Sequence, residues 1–538
     1  MVLVLPSCQI PKLRQSQTGS AIPATYNGAA TPDNSALLRV DEFYDDQNIH
    51  RLVCQAMANN RDLKVLEEEI EVARSAILAR RGAYLPLVGF RGSAGWDRNS
   101  KFTPTGAAEK ELEYRPGRHF PATPGDYLTG FNFYLPVDIW RELRNARDAA
   151  RQRYLAAVER RNDFVTRMVA DIADSYYTLM SLDKRIQTLD RNIELQQSSY
   201  EIAKARFEAG RGNELAVQRF LAEVRRNQSE KLVVRQDIIE AENRINLLAG
   251  RLPQPVARST TDFFEVTLRA LSAGVPAQLL LNRPDIRQAE RELEAAGLEV
   301  KVARAHFFPR IDISGTVGYQ AFNPKYLFNP EALLLNAAGD LTAPVINKAA
   351  IRADYLAANA RQLEAVYSYQ RVILGAFTEV INRLAMVENY TRSIEVRRRQ
   401  LTALENSVDL ANQLFQAARI EYIEVLFAQR DLLEARTVLI DTKRRQLSAV
   451  VNAYQALGGG ALASCPAPER PVGAPGEQPD PRPKMNPPEA PRLLGAATAA
   501  AALPAPTAPA EPLAPCNSKG AGVPLVVPAV SKPGPPGQ

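Results

Sequence analysis

Residues able to carry covalent or metal chemistry are few and far apart in this chain. Its 538 residues include three histidines (His50, His119, His306) and four cysteines (Cys8, Cys54, Cys465, Cys516). There is no CxxC, and no histidine stands at a metal-ligand spacing, so the sequence predicts neither a zinc site nor a disulfide framework. Aspartate, glutamate and tyrosine are plentiful, but they form no catalytic triad, phosphate-binding loop or metal cluster. The expectation is a protein that is not an enzyme and holds no cofactor. One stretch does suggest a reaction. Leu5-Pro6-Ser7-Cys8 has the outline of a lipoprotein processing site: an apolar residue, a small residue, then the cysteine to be acylated. Only seven residues precede Cys8, none of them basic, whereas a secretory signal has an apolar core of about 7–15 residues. Either the true start lies upstream or Cys8 is an ordinary residue. Lipidation at Cys8 is the expectation, as a supplement to another membrane attachment, because a lone acyl chain anchors weakly.

The charge balance excludes other classes. Lys and Arg total 66 against 60 Asp and Glu, a net of +6. The basic residues are spread among acids along helical stretches, as on a solvated surface. Nucleic acid binding would need them gathered in one patch, so no nucleic acid partner is expected. No run of about 18 apolar residues exists to form a transmembrane helix. From Cys465 to Gln538 the chain is rich in Pro and Ala and holds 20 of the 38 prolines. Such a composition cannot bury enough apolar surface to offset its ordering entropy. Residues 459–538 are therefore read as a disordered tail, and residues 1–47 as an N-terminal segment with an extended arm.

The elements that would position any site are organised as an internal repeat. Residues 62–96 match 285–319 at a constant offset of 223, and residues 136–250 match 344–458 at an offset of 208. The offsets differ because a Pro- and Gly-rich loop around residues 103–126 lengthens the first copy. The repeat divides the chain into a first copy (48–250), a connector expected to form an irregular belt at mid-height (251–280) and a second copy (281–458). Each copy carries a strand with two unlike faces. In FFPRIDISGTVGYQ, Ile311, Ile313, Gly315, Val317 and Tyr319 alternate with Asp312, Ser314, Thr316, Gly318 and Gln320. Strands are expected at about 87–97, 126–136, 310–321 and 332–344, the last on weaker alternation. Their length of about ten residues is what a tilted strand needs to cross a bilayer.

The remainder reads as long helix. Apolar positions recur at a 3–4 spacing from Val165 to Phe207 and again from Ile373 to Phe415, the period of left-handed coiled-coil packing. Polar interruptions at Ser175, Gln196, Arg383 and Arg397 suggest a side that is not dry. A 70-residue descent spans about 105 Å. Length arithmetic pairs it with a return over 214–249 continued by 281–306, and leaves the N-terminal helix, about 49–84, to complete the return of the second copy. Four strands cannot close a barrel, and open edges are not tolerated in lipid. Three chains would supply twelve, within the range of closed outer-membrane barrels.

The stretch NRPDIRQAERELEAAGLEVKVARAHFFPRIDISGTVGY, its weaker N-terminal echo, and the tips FEAGRGNELAVQ and FQAARIEYIEVLFAQRDLLEA resemble the TolC-type outer-membrane efflux proteins over about residues 48–458. Arg283-Pro284-Asp285 and the strand after Phe308-Pro309 are the most specific pieces. The resemblance implies a mainly α fold with a small β part. It implies a homotrimer with a twelve-stranded outer-membrane β-barrel, four strands per chain, continued by a long periplasmic α-helical coiled-coil barrel. It further implies an exit duct contacting outer-membrane lipid, docked to a periplasmic adaptor and, through it, to an inner-membrane pump. Trp96, Tyr127 and Tyr319 would sit in aromatic girdles.

In that family, acids just past the second tip narrow the entrance. The matching stretch runs from Glu421 to Phe427: Glu424 takes the place of the first ring acid, Phe427 that of the second, and Glu421 lies beside them. A ring of Glu424 would favour cations, while Phe427 would add an apolar constriction. The adaptor-docking tips would be Gly210-Arg211-Gly212 and Ala417-Ala418-Arg419. The second lacks the glycine of the first and is expected to turn differently. Drug efflux, metal efflux and type I protein secretion all fit such a duct. A periplasmic coiled-coil scaffold explains the helices but not the strands.

Overall fold

Two helices of 67 and 68 residues dominate the fold, each returned by a helix of 35. The computed structural model describes residues 10–17, 19, 23–26, 34–121, 123–346, 348–417, 419–460 and 465. All belong to the first of two units, Met1–Pro468. Cys8, Ala418 and nearly all of the Pro/Ala-rich tail lie outside the described residues.

In chain order, α1 (Val40–Phe43), α2 (Gln47–Asn59) and α3 (Arg61–Gly82) lead into β1 (Leu87–Trp96). The Pro/Gly-rich loop contains short structure that its composition hid: α4 (Pro104–Glu111) and a small hairpin of β2 (Glu113–Arg115) and β3 (Arg118–His119). Then come β4 (Gly125–Val137), α5 (Glu142–Glu208) and α6 (Glu214–Leu248). Residues 251–275 carry no regular helix or strand beyond an isolated bridge between Asn34 and Ala273. The second half continues with α7 (Leu279–Asn282), α8 (Pro284–Ala305), β5 (Arg310–Ala321), β6 (Leu333–Thr342), α9 (Ala349–Gln416) and α10 (Tyr422–Ala456).

β1, β4, β5 and β6 form one antiparallel sheet in that order. Register aligns Phe90 with Phe131, Phe131 with Val317, and Val317 with Leu335, an apolar row across all four strands. The same face carries Val88, Trp96, Tyr127, Phe133, Ile311, Ile313, Tyr319, Leu333 and Leu341. The opposite face carries Arg91, Ser93, Asp126, Asn132, Asp312, Thr316, Gln320, Asn336 and Asp340, because side chains alternate across a strand. β6 is as regular as the rest despite its weak alternation. Trp96, Tyr127 and Tyr319 all fall on the apolar face, near the end of the sheet away from the long helices. The sheet is held to those helices at a corner where Trp140 stacks on Phe308 (4.5 Å) and its Nε1 donates to the Pro309 carbonyl (2.8 Å). Asp138 caps the start of α5 by accepting from Leu143 and Arg144 N–H. There too Glu142 lies 3.4 Å from His306. Their hydrogen bond raises the His306 pKa and lowers that of Glu142.

The helices lie side by side. Near the sheet α3 packs on α5, α5 on α8, and α8 on α9; towards the tips α6 packs on α5, α5 on α10, and α10 on α9. The end-to-end junctions differ from the pairing that length arithmetic suggests. α6 abuts the start of α3, where Asn60 caps that helix by accepting from Leu63 N–H and donates to the Leu248 carbonyl. α10 abuts the start of α8, where Arg283 donates to the Ala456 carbonyl (2.7 Å). The two upper helices both have 22 residues, so length could not tell them apart. Asn60 and Arg283 are equivalent positions in the offset of 223, and each closes a helix end with a side chain.

At mid-length the main core gathers α1, α2, the middle of α5, the end of α10 and the connector around Phe43, Ile172, Tyr176, Leu179, Ile245 and Tyr454. Cys54 of α2 is disulfide-bonded to Cys465. This corrects the expectation drawn from their spacing: a separation of 411 residues leaves no local signature.

Candidate functional site: the helix tips and the start of α10

The helices reverse at one end of the molecule, and each reversal has a local cause. α5 ends at Glu208 with Gly210 in the left-handed region (φ 71°). Gly210 N–H donates to Phe207 O and Arg211 N–H to Arg206 O, the pair of bonds that satisfies the last carbonyls of a helix before a glycine stop. Asn213 then caps α6, accepting from Ala216 N–H (2.9 Å). At the second tip Arg419 N–H donates to Leu414 O (2.9 Å). That is the same reach as from Arg211 to Arg206. Ala418, which stands where the first tip has Gly210, lies outside the described residues. Arg211 and Arg419 are both exposed, and neither forms an ion pair among the described residues.

One residue joins the tips that repeat comparison did not reveal. Arg206 Nη2 donates to the carbonyls of Phe415 (3.0 Å) and Gln416 (3.3 Å), and its guanidinium lies 4.2 Å from the centre of the Phe415 ring. A cation from α5 thus satisfies the end of α9, where the helix dipole favours positive charge. The equivalent position in the second copy is Leu414, so the repeat carries no signal for it. Beneath the tips Ala203, Val217, Phe220 and Leu426 form a small apolar core.

Above that core lies a polar layer. Gln196, Ser199, Asn227 and Gln429 are all buried; Asn227 donates to Gln196 (2.5 Å) and Gln429 to Ser199 (3.0 Å). Gln196 shows in the sequence as a polar interruption of the seam. Polar pairs inside a coiled coil fix alignment at some expense of stability.

Glu421 stands at the N-cap of α10 without a side-chain capping bond, and Glu424 lies in the first turn. Val425 and Leu426 turn inward, while Glu421, Glu424 and Phe427, the last 48 % exposed, share the outward face. The Glu424 carboxylate has no hydrogen bond or ion pair among the described residues. Asp431 and Glu434 continue the exposed face, which is acidic apart from Phe427 and Arg430. Such a surface can attract cations; among the described residues no cluster of His, Cys, Asp and Glu is placed to hold a metal ion.

The sequence pattern of outer membrane efflux proteins matches residues 52–251 and 275–459. The chain belongs to the outer membrane efflux protein family. Cation efflux system protein CusC of Escherichia coli K12 is 28 % identical over 421 residues, covering 78 % of this chain and 88 % of the relative. Solvent efflux pump outer membrane protein SrpC of Pseudomonas putida is 27 % identical over 428 residues, covering 79 % and 88 %. A crystal structure of CusC, described in terms of folding and transmembrane channel formation, superposes with a TM-score of 0.73 at 25 % identity, over 85 % of this chain and 99 % of that one. This efflux protein resides in the outer membrane and acts there as the efflux channel. No helix among the described residues is long and apolar enough to cross a membrane.

Proposed function

We propose that this efflux protein is a homotrimeric exit duct, passively conducting what an inner-membrane pump delivers through a periplasmic adaptor. The observation that carries the reading is the sheet: one continuous apolar face, one polar face and two unpaired edges. In lipid an open edge is costly, and pooling strands from three chains into a closed twelve-stranded barrel removes it. Apolar side chains exposed on both flanks of the helical layer support the same assembly: Val72, Leu232 and Ile239 on α3 and α6, and Leu374, Val396 and Leu410 on α9. The matched helix lengths favour reading the chain as two duplicated halves, 48–250 and 281–458, joined by the connector 251–280.

Under this reading the tips, with Gly210, Arg211, Gly212, Ala417, Ala418 and Arg419, meet the adaptor, and the two exposed arginines present cations to its carbonyls or carboxylates. Glu421, Glu424 and Phe427 line the periplasmic aperture. Cys8, outside the described residues, is the acylation site in this reading; the described arm that follows it starts at the sheet end of the helices, where Ile10 and Leu13 pack against Val300, Ala303, Phe307 and Tyr355. Cargo enters the reading only through relatives named for cation and solvent efflux.

The test is conductance of the purified protein in planar bilayers. We expect small, cation-selective channels, weaker selectivity in Glu424→Ala, and larger conductance in Phe427→Ala. Unchanged selectivity in Glu424→Ala removes the aperture assignment and leaves the fold intact.

A further inference from the structure

Each unpaired edge of the sheet carries one unpaired charge on the polar face. Arg91 in β1 and Asp340 in β6 are both exposed, and neither makes a hydrogen bond or ion pair among the described residues. Within the chain Asp340 stands opposite Asp312, and Asp312 is already engaged by Tyr134 (2.7 Å) and Arg310 (3.2 Å). Like charges directly opposite one another disfavour strand pairing, so Asp340 meets a carboxylate on its inner side and nothing on its outer side. Arg91 stands opposite Gly130, with no charged residue across from it.

We propose that β6 of one copy pairs antiparallel with β1 of the next so that Asp340 and Arg91 form an ion pair across each seam of the barrel. The proposal rests on the trimeric reading above, and the registers within the chain constrain how such a barrel closes. Partner-to-partner steps lead from Phe90 through Phe131 and Val317 to Leu335. Barrel strands tilt by about 35–45°. Across four strands spaced about 4.8 Å, with a rise of about 3.4 Å per residue, that tilt displaces the next β1 by about four to six residues. The displacement must be even, or apolar and polar faces would exchange.

A displacement towards lower numbers sets β6 against residues preceding β1 and leaves almost no overlap. In the other direction, a shift of about four places Leu333 opposite Trp96 and puts Arg91 on the diagonal from Asp340, within reach of a long side chain. A shift of about six places Asp340 directly opposite Arg91, with Leu335 opposite Trp96 and Leu341 opposite Phe90. Both permitted registers bring the charges together and keep the leucines on the apolar face.

The test begins with the mass of the full chain in lipid nanodiscs. Arg91→Asp and Asp340→Arg should each reduce the SDS-resistant trimer and lower its melting temperature, and the double exchange should restore both. Small polar-face positions supply an independent readout. Ser93→Cys with Ala338→Cys should give covalent oligomers on oxidation if the shift is about six, and Ser93→Cys with Asn336→Cys if it is about four. A trimer in which neither cysteine pair links, or a double exchange no more stable than the single reversals, overturns the seam pair. A monomeric wild-type protein overturns the trimeric reading itself.

Discussion

Arg283 is 5 % exposed and uses its whole guanidinium. Nε and Nη2 bind the Asp285 carboxylate (3.0 and 2.7 Å), while Nη1 reaches Glu379 (3.0 Å) and the Ala456 carbonyl. One side chain therefore ties the starts of α8 and the middle of α9 to the end of α10. The Arg-Pro-Asp order stands out in the sequence, and Pro284 at the first helical position explains part of it. The other partners, Glu379 and Ala456, are distant in sequence and could not be named from it. Removing the arginine leaves two carboxylates without their buried cation. Arg283→Ala is expected to cost about 3–5 kcal/mol in chemical denaturation, with Arg283→Lys recovering only part, because an ammonium cannot reproduce the bidentate fork. A loss below about 1 kcal/mol would mean that water replaces the arginine, as it does at exposed pairs. Arg206 teaches the converse: nothing in its neighbourhood distinguishes it, and its role exists only because the two tips meet.

Among the elements, the stops between helices are set by glycines whose surroundings differ. Gly210 (φ 71°) has open space where a Cβ would stand, whereas at Gly250 (φ 68°) a Cβ would lie 2.4 Å from the Asn59 carbonyl oxygen. An alanine at Gly210 meets only the backbone penalty of a positive φ, about 1 kcal/mol. At Gly250 the same penalty is joined by a clash at the junction of α6 with α3. Gly250→Ala should therefore lose more stability than Gly210→Ala, with faster amide exchange around Leu248 and Asn60. Equal losses would show that the junction yields easily. The strands were legible because alternation is local. The positions of α4, β2 and β3 were not, since their loop is stabilised by contacts between segments: Tyr114 and Phe120 pack against Phe322 of the loop following β5.

For the whole molecule, the Cys54–Cys465 bond closes a loop of 411 residues and ties the point where the tail begins to α2 in the main core. Such a bond persists in oxidising surroundings such as the periplasm, in keeping with an outer-membrane protein. Cross-linking so long a loop restricts the unfolded chain, and Cys54→Ser with Cys465→Ser should cost about 2–4 kcal/mol. The check is the denaturant midpoint with and without reductant. Reductant should shift the wild type and leave the double variant unchanged, and a wild type indifferent to reductant would show that the bond does not constrain unfolding.

Taken alone, the sequence determined the two-faced strands, the lengths of the long helices and the glycine at the first tip. Each of these is written in periodicity or spacing along a continuous stretch. Only the tertiary structure decided that α6 continues into α3 and α10 into α8, that Arg206 closes the end of α9, and that two distant cysteines are bonded. Upper helices of equal length are interchangeable in any length arithmetic. The choice between them rests on Asn60 reaching Leu248 and Arg283 reaching Ala456, contacts between residues 188 and 173 positions apart, which no local pattern encodes.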